Sequence, residues 1–277
     1  MTDQMSTVPT PASAPLLSVQ ELSVHFGGVR AVNNVSFDVN AGEVFTLIGP
    51  NGAGKTTVFN LISRLYRPTQ GEIRFDGRSI RELAPHAIAE LGIARTFQNI
   101  ELFENATVLQ NLLIGRHRHS RVGLLACGLF TGAVWREERS ARRKVEEVID
   151  LLDLQHHRDS VITGLPYGVR KVVELARALC SEPRLLLLDE PSSGLNPEET
   201  DDMVFWIQDI VNELGITVLM VEHDMSLVSK VSDRVLAMNM GEVLAVGAPQ
   251  EVQSHPGVIE AYLGGSQDAA RLRRVKT

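Results

Sequence analysis

Gly49-Pro50-Asn51-Gly52-Ala53-Gly54-Lys55-Thr56 follows the spacing G-x-x-x-x-G-K-[ST], in which each part has a use on a polyphosphate. Glycines let the backbone curl until successive N–H groups point at phosphate oxygens, and a helix starting there adds its positive end. Lys55 is placed to bridge the β- and γ-phosphates, Thr56 to ligate Mg²⁺, and Thr57 belongs to the same cradle. The bland alternative is a glycine-rich turn with an incidental lysine. Context argues against it: the mostly apolar run Val44 to Ile48 reads as a strand, and Val58, Leu61, Ile62 and Leu65 recur at helical spacing.

A second group of chemical residues follows Leu185-Leu186-Leu187-Leu188, an apolar strand that delivers Asp189 and Glu190 at its C-terminal end, where ligands sit in open α/β sheets. Alone, that run reads as a buried strand entering a polar loop; beside a phosphate loop, Asp189 suits Mg²⁺ and Glu190 the attacking water. Strand alternation points the two carboxylates to opposite sides. His223 follows the apolar strand Ile216 to Val221 and reaches the same sheet edge, either as a solvated histidine or as a contact to the γ-phosphate and water. Gln98, in Arg95-Thr96-Phe97-Gln98-Asn99, has an amide that can reach Mg²⁺ and water or simply decorate a loop.

The elements that must position these residues come from the rest of the chain. With 277 residues, 44% hydrophobic and 22% charged, it has the length and mixture of a large globular domain, neither a disordered chain nor a membrane-embedded one. A net charge of -7 argues against a general nucleic-acid binder. Cys127 and Cys180 supply no disulfide framework and no metal-ligand spacing, which fits a reducing compartment. Met1-Thr2-Asp3-Gln4 opens no secretory signal, and the uncharged apolar-rich run Val122 to Trp135 is shorter than the roughly 20 residues a span needs, so any membrane role is expected to be peripheral.

Residues 1–15, with Pro9, Pro11 and Pro15, read as a flexible extension. Leu22, Val24 and Phe26, then Val35, Phe37 and Val39, alternate with polar residues and predict a small, partly antiparallel β layer. A strand at Ile73 to Phe75 is followed by a mainly helical stretch from Pro85 to Leu179. Alternation of helix and strand then resumes, with a helix from Pro197 to Leu214 capped by Asn196 and stopped at Gly215, and strands at Ile216 to Val221 and Arg234 to Met238. This order predicts an α/β fold with a parallel sheet and crossover helices.

Taken in order, the phosphate loop, Gln98, the segment Leu165-Pro166-Tyr167-Gly168-Val169, Asp189-Glu190, the loop Ser193-Gly194-Leu195-Asn196 and His223 resemble the ATP-binding subunit of ABC transporters, over about Leu16 to Gly264. The resemblance implies a P-loop ABC ATPase with a RecA-like parallel core, an antiparallel β subdomain and a helical insertion. Its divisions fall at 16–95 and 180–255 for the nucleotide-binding core, 96–179 for the helical subdomain and 256–277 for the tail. It also implies that Phe26 stacks on adenine and Val32 lines the same pocket, although Phe26 alone reads equally as an edge-strand core aromatic. ATP and Mg²⁺ are the implied ligands.

Leu165-Pro166-Tyr167-Gly168-Val169 departs from the family's common L-S-G-G-Q, since Pro166 offers neither a hydroxyl nor a backbone N–H to a partner's γ-phosphate. Gly168 and the following helix start still offer N–H groups. The tyrosine before that glycine, Asn196-Pro197, Glu222-His223-Asp224-Met225 and the stretch His255-Pro256 to Gly264 resemble the branch serving branched-chain amino-acid importers and relatives for urea and short amides. An importer implies a second identical or homologous ATPase subunit, two transmembrane permeases, a periplasmic or extracellular substrate-binding protein, no nucleic acid, and residence on the cytoplasmic face of the membrane. An exporter subunit is the alternative. A guanine-reading Asn-Lys-x-Asp is absent, which removes a GTPase switch. The arginine-rich stretch Arg116 to Lys144 reads either as a solvated helical pair or as a face near anionic headgroups.

Overall fold

The computed structural model describes residues 14–96, 100–116 and 132–263. Gln98, most of Val122 to Trp135 and the basic tail Arg271, Arg273, Arg274 and Lys276 lie outside these residues.

Strands β1 (Leu17–Phe26) and β2 (Val29–Val39) form a hairpin closed at Gly27-Gly28, where Gly27 takes a φ of 58°. In β2 the expected alternation holds, with Val35, Phe37 and Val39 buried and Ser36 and Asp38 exposed. In β1 it is interrupted at Glu21, whose φ of 48° lies at a register shift that returns Leu22 to the core face. Strand β3 (Val44–Ile48) leads into helix α1 (Lys55–Ile62). Strands β4 (Gln70–Phe75) and β5 (Arg78–Ser79) turn at Asp76-Gly77, both at positive φ. The antiparallel sheet has the order β2-β1-β4-β5.

Helix α2 (Pro85–Leu91) precedes strand β6 (Ile93–Arg95), and helices α3 (Val108–Gly115), α4 (Gly132–Leu151) and α5 (Tyr167–Leu179) follow. Strand β7 (Leu185–Asp189), helix α6 (Pro197–Asn212), strand β8 (Thr217–Val221), helix α7 (Met225–Val231), strands β9 (Arg234–Asn239) and β10 (Glu242–Gly247) and helix α8 (Pro249–Gln253) complete the numbered elements, with a further helix over 256–263. The second sheet has the order β10-β9-β3-β8-β7-β6, parallel except for β10. Thus β8 lies between β3 and β7, and the C-terminal ends of all three meet at one edge.

The sheet separates two large apolar cores, and a third, smaller one gathers Ile48, Val228, Val235, Ala237, Val252 and Val258. Phe45, Leu47, Leu185, Leu187, Leu219 and Val221 pack with the β subdomain and α1, whereas Val44, Leu186, Leu188, Val218 and Met220 pack with α3 to α6. The structure departs from the expectation at several points. Helix α1 stops at Ile62, before Leu65, because Arg64 adopts a φ of 60° and Leu65 is left exposed. Strand β6 occurs within the stretch expected to be mainly helical, where its three residues pair with β7; β10 forms an antiparallel edge from a segment with little alternation. No helix among the described residues is long and apolar enough to cross a membrane.

Candidate nucleotide site

All five residues of β3 are buried, and the chain leaves the sheet at Gly49 with a φ of 148°. A Cβ there would lie 2.2 Å from the Met238 carbonyl oxygen, so β9 approaches too closely for any side chain. Gly54 (φ 102°) begins α1, and no side chain caps that helix, leaving its leading N–H groups as an anion site. Lys55 is buried, and its Nζ donates to the carbonyls of Gly49 at 2.6 Å and Pro50 at 3.1 Å. Burial pushes its ammonium below the ordinary lysine value, opposed first by Glu190 and then by Asp189. Asn51 through Thr57, with Val29, Arg30, Ala31, Glu190 and Met240, line a cleft of about 520 Å³.

Asp189 ends β7 and is buried, with Oδ2 2.8 Å from Arg95 Nη2. The same guanidinium donates to Asn60 Oδ1 at 2.8 Å and Ser63 Oγ at 3.3 Å, reaching α1 and the residue that closes it. The strand stops at Asp189, and Glu190 takes a φ of 51° while its N–H donates to Val221 O at 2.9 Å. This left-handed turn, rather than strand alternation continued through Glu190, sets the direction in which Glu190 enters the cleft wall. His223 Nδ1 lies 3.9 Å from Glu190 Oε2 and 3.7 Å from Glu222 Oε2. The structure therefore brings Lys55, Asp189, Glu190 and His223 to one sheet edge.

Lys171, which the sequence reading passes over, lies on α5 and is buried. Its Nζ donates to the carbonyls of Glu190 at 2.7 Å and Pro191 at 3.3 Å. Burial lowers its pKa, opposed first by Glu222. Helix α5 has Pro166 as its N-cap without a side-chain cap. Gly168 lies outside the residues lining the cleft; it sits against Glu199, whose Oε1 would be 2.2 Å from an added Cβ. Glu199 is held by a capping box with Asn196, the expected N-cap of α6. Tyr167 packs on Gly194 in the loop before that helix, so this loop and the Tyr167-Gly168 turn support each other.

Phe26 is 45% exposed and meets Tyr66 edge-on at 5.1 Å and 70°. It pairs in register with Val29 of the cleft wall. Val32 does not line this wall: its side chain is fully buried in the core, and Val29, Arg30 and Ala31 take that place. Val32 is out of phase with the buried Val35, Phe37 and Val39, and the register shift around Asn34, at a φ of 55°, returns its side chain to the core.

Residues 32–193 match the family model for ABC transporters, and residues 242–268 match the model described as branched-chain amino acid ATP-binding cassette transporter. The high-affinity branched-chain amino acid transport ATP-binding protein BraF of Pseudomonas aeruginosa is 45% identical over 253 residues, covering 91% of this chain and 99% of that protein. The corresponding protein LivG of Escherichia coli is 41% identical over 252 residues, covering 91% and 99%. Among solved structures, a nucleotide-free ATP-binding cassette from an ABC transporter is similar at 31% identity and a TM-score of 0.78, covering 90% of this chain and 99% of that one. A second, in its ADP conformation, is similar at 31% identity and 0.79, covering 91% and 100%. The phosphate cradle, the carboxylates on the adjoining strand and this likeness along nearly the whole chain agree: the chain belongs to the ABC transporter family, as its nucleotide-binding ATPase component.

Proposed function

We propose that the chain drives an importer for branched-chain amino acids or related small polar or amide solutes. The observation that carries this reading is the match of residues 242–268 to the branched-chain amino acid cassette model, joined to a hydrolytic edge in the same chain. The relatives are described as high-affinity transport proteins, and high affinity suits uptake of a dilute solute better than export. Two permeases, a second cassette and a periplasmic or extracellular binding protein complete the proposed assembly, with this subunit on the cytoplasmic face.

In the proposed site, Phe26 stacks on adenine, and the N–H groups from Gly49 to Thr57 hold the phosphates with Lys55. Thr56 and Asp189, joined by Gln98, are oxygen donors of the kind Mg²⁺ prefers. No described group of three or more His, Cys, Asp or Glu residues could hold a metal. Mg²⁺ takes one or two protein oxygens and completes its shell with phosphate and water. When bound, Mg²⁺ offsets charge on the β- and γ-phosphates. Glu190 takes a proton from the attacking water as its oxygen bonds to the γ-phosphorus and the bond to ADP breaks; His223 contacts the same phosphate and water. Gly168 and the start of α5 in the second cassette offer backbone N–H groups to that phosphate, closing two nucleotides between two subunits.

Reconstitution with the permeases and binding protein in vesicles tests the reading. Leucine, isoleucine or valine should raise ATP hydrolysis and accumulate inside vesicles. Solute-independent hydrolysis with no accumulation of these or of short amides would defeat it.

A further inference from the structure

Glu222 is fully buried, yet both of its carboxylate oxygens are in use. Oε1 accepts the backbone N–H of Ser192 at 2.9 Å and its hydroxyl at 2.5 Å. Oε2 accepts the backbone N–H groups of His223 at 2.7 Å and Asp224 at 3.1 Å. A carboxylate offers about four acceptor sites and no donor, and each of these partners is a donor. Removing this charge from water is costly, so the contacts that compensate it are also those that hold its surroundings in place.

The two ends of this bridge carry the proposed chemistry. Ser192 lies two residues after Glu190 and immediately before the loop Ser193 to Asn196; His223 follows Glu222 directly. From the other side, Lys171 binds the carbonyls of Glu190 and Pro191. The segment Glu190 to Ser192 is thus held from α5 by a cation and from the end of β8 by an anion.

We propose that Glu222 is a positioning residue that ties the loop bearing Glu190 to His223, so that base and histidine address the attacking water as one unit. This inference rests on the roles of Glu190 and His223 proposed above. A glutamate that merely stabilised the fold would change the yield of active protein but leave kcat per folded site intact. Glutamine supplies a sharper contrast than alanine: it keeps the shape, but its NH₂ replaces one acceptor where only donors wait.

The test uses the reconstituted transporter with Glu222→Gln, Ser192→Ala, their combination and His223→Ala, measuring kcat and KM for ATP per folded complex. Glu222→Gln should lower kcat by about 30-fold or more with KM within about threefold, the pattern of lost alignment rather than lost binding. Ser192→Ala should lower kcat by about three- to tenfold and add little further loss to Glu222→Gln, because both changes break one bridge. Wild-type kcat in Glu222→Gln, or losses that multiply independently, would overturn the inference. If Glu222→Gln does not assemble, an unchanged kcat in Ser192→Ala overturns it. Retained hydrolysis in His223→Ala would instead defeat the reading of the site, and this inference with it; lost hydrolysis there with normal Glu222→Gln defeats this inference alone.

Discussion

Arg95 holds Asp189 through a 2.8 Å ion pair in which both side chains are nearly fully buried, while the same guanidinium reaches Asn60 on the helix that follows the phosphate loop. One cation therefore fixes the distance between the two segments proposed to share Mg²⁺. Arg95→Met should leave a buried carboxylate without its partner and lower stability by about 3–5 kcal/mol, the range for breaking one side of a buried pair. Urea unfolding of the isolated subunit measures this; a loss under about 1 kcal/mol would show that the pair is dispensable to the fold.

Glu190→Gln keeps the side-chain shape and removes the base. ATP should still bind while turnover falls by roughly 10²- to 10⁴-fold. With hydrolysis blocked, two subunits should remain closed on ATP, seen by size measurement with ATP and Mg²⁺ and, for a heterodimer, with the partner cassette. Lys55→Ala should not form this species. Near-normal hydrolysis by Glu190→Gln would remove it as the base, and lost hydrolysis without a trapped dimer would point to a weak phosphate contact at the Pro166-containing turn.

Phe26 should account for most of the base contact, so Phe26→Ala should weaken ATP binding by about tenfold, near 1.4 kcal/mol. Because Tyr66 holds the Phe26 ring edge-on, Tyr66→Ala should weaken ATP binding by a smaller factor in the same direction. A nucleotide titration measures both, and unchanged affinity in Phe26→Ala would take that ring out of the site.

Burial pushes the Cys180 thiol up to about 12 from its ordinary 9.0. The reactive thiolate is thus suppressed in the folded protein, and Cys180 should resist iodoacetamide at pH 8 while reacting fully after unfolding. Since the folded value is the higher one, its contribution to stability is complete below pH 9 and declines as pH rises from about 9 to about 12, where the unfolded thiol ionises first. Peptide mapping after timed alkylation checks the first point, and rapid labelling of native Cys180 would contradict it.

The phosphate loop was legible because its signals are local: an apolar strand, glycines at fixed spacing and a helical stripe. The start of α6 was legible for the same reason, with Asn196, Pro197 and Glu199 forming the expected capped entry. The roles of Lys171 and Glu222 are not legible because the groups that define them are distant in sequence: Lys171 meets a carbonyl 19 positions away, and Glu222, although its own neighbours His223 and Asp224 donate to it, is joined to the loop after β7 by Ser192, 30 positions away. Arg95 acquires its role only when β6 pairs with β7, and three residues leave too short a pattern to announce a strand. Family likeness gives Val32 a place in the pocket, but the extra residue in β2 around Asn34 turns its side chain into the core, and a bulge of that kind leaves no mark in the alternation of residue types.

The four leucines of β7 present the same side chain to both cores, so sliding the strand by one residue would exchange leucine for leucine on each face. Oil cannot tell these settings apart. The ends of the strand can: Asp189 must meet Arg95, and its N–H must meet the Thr96 hydroxyl at 3.4 Å. Those polar contacts act as a ruler, and changing them should alter where the carboxylates come to rest even when every apolar contact is still available.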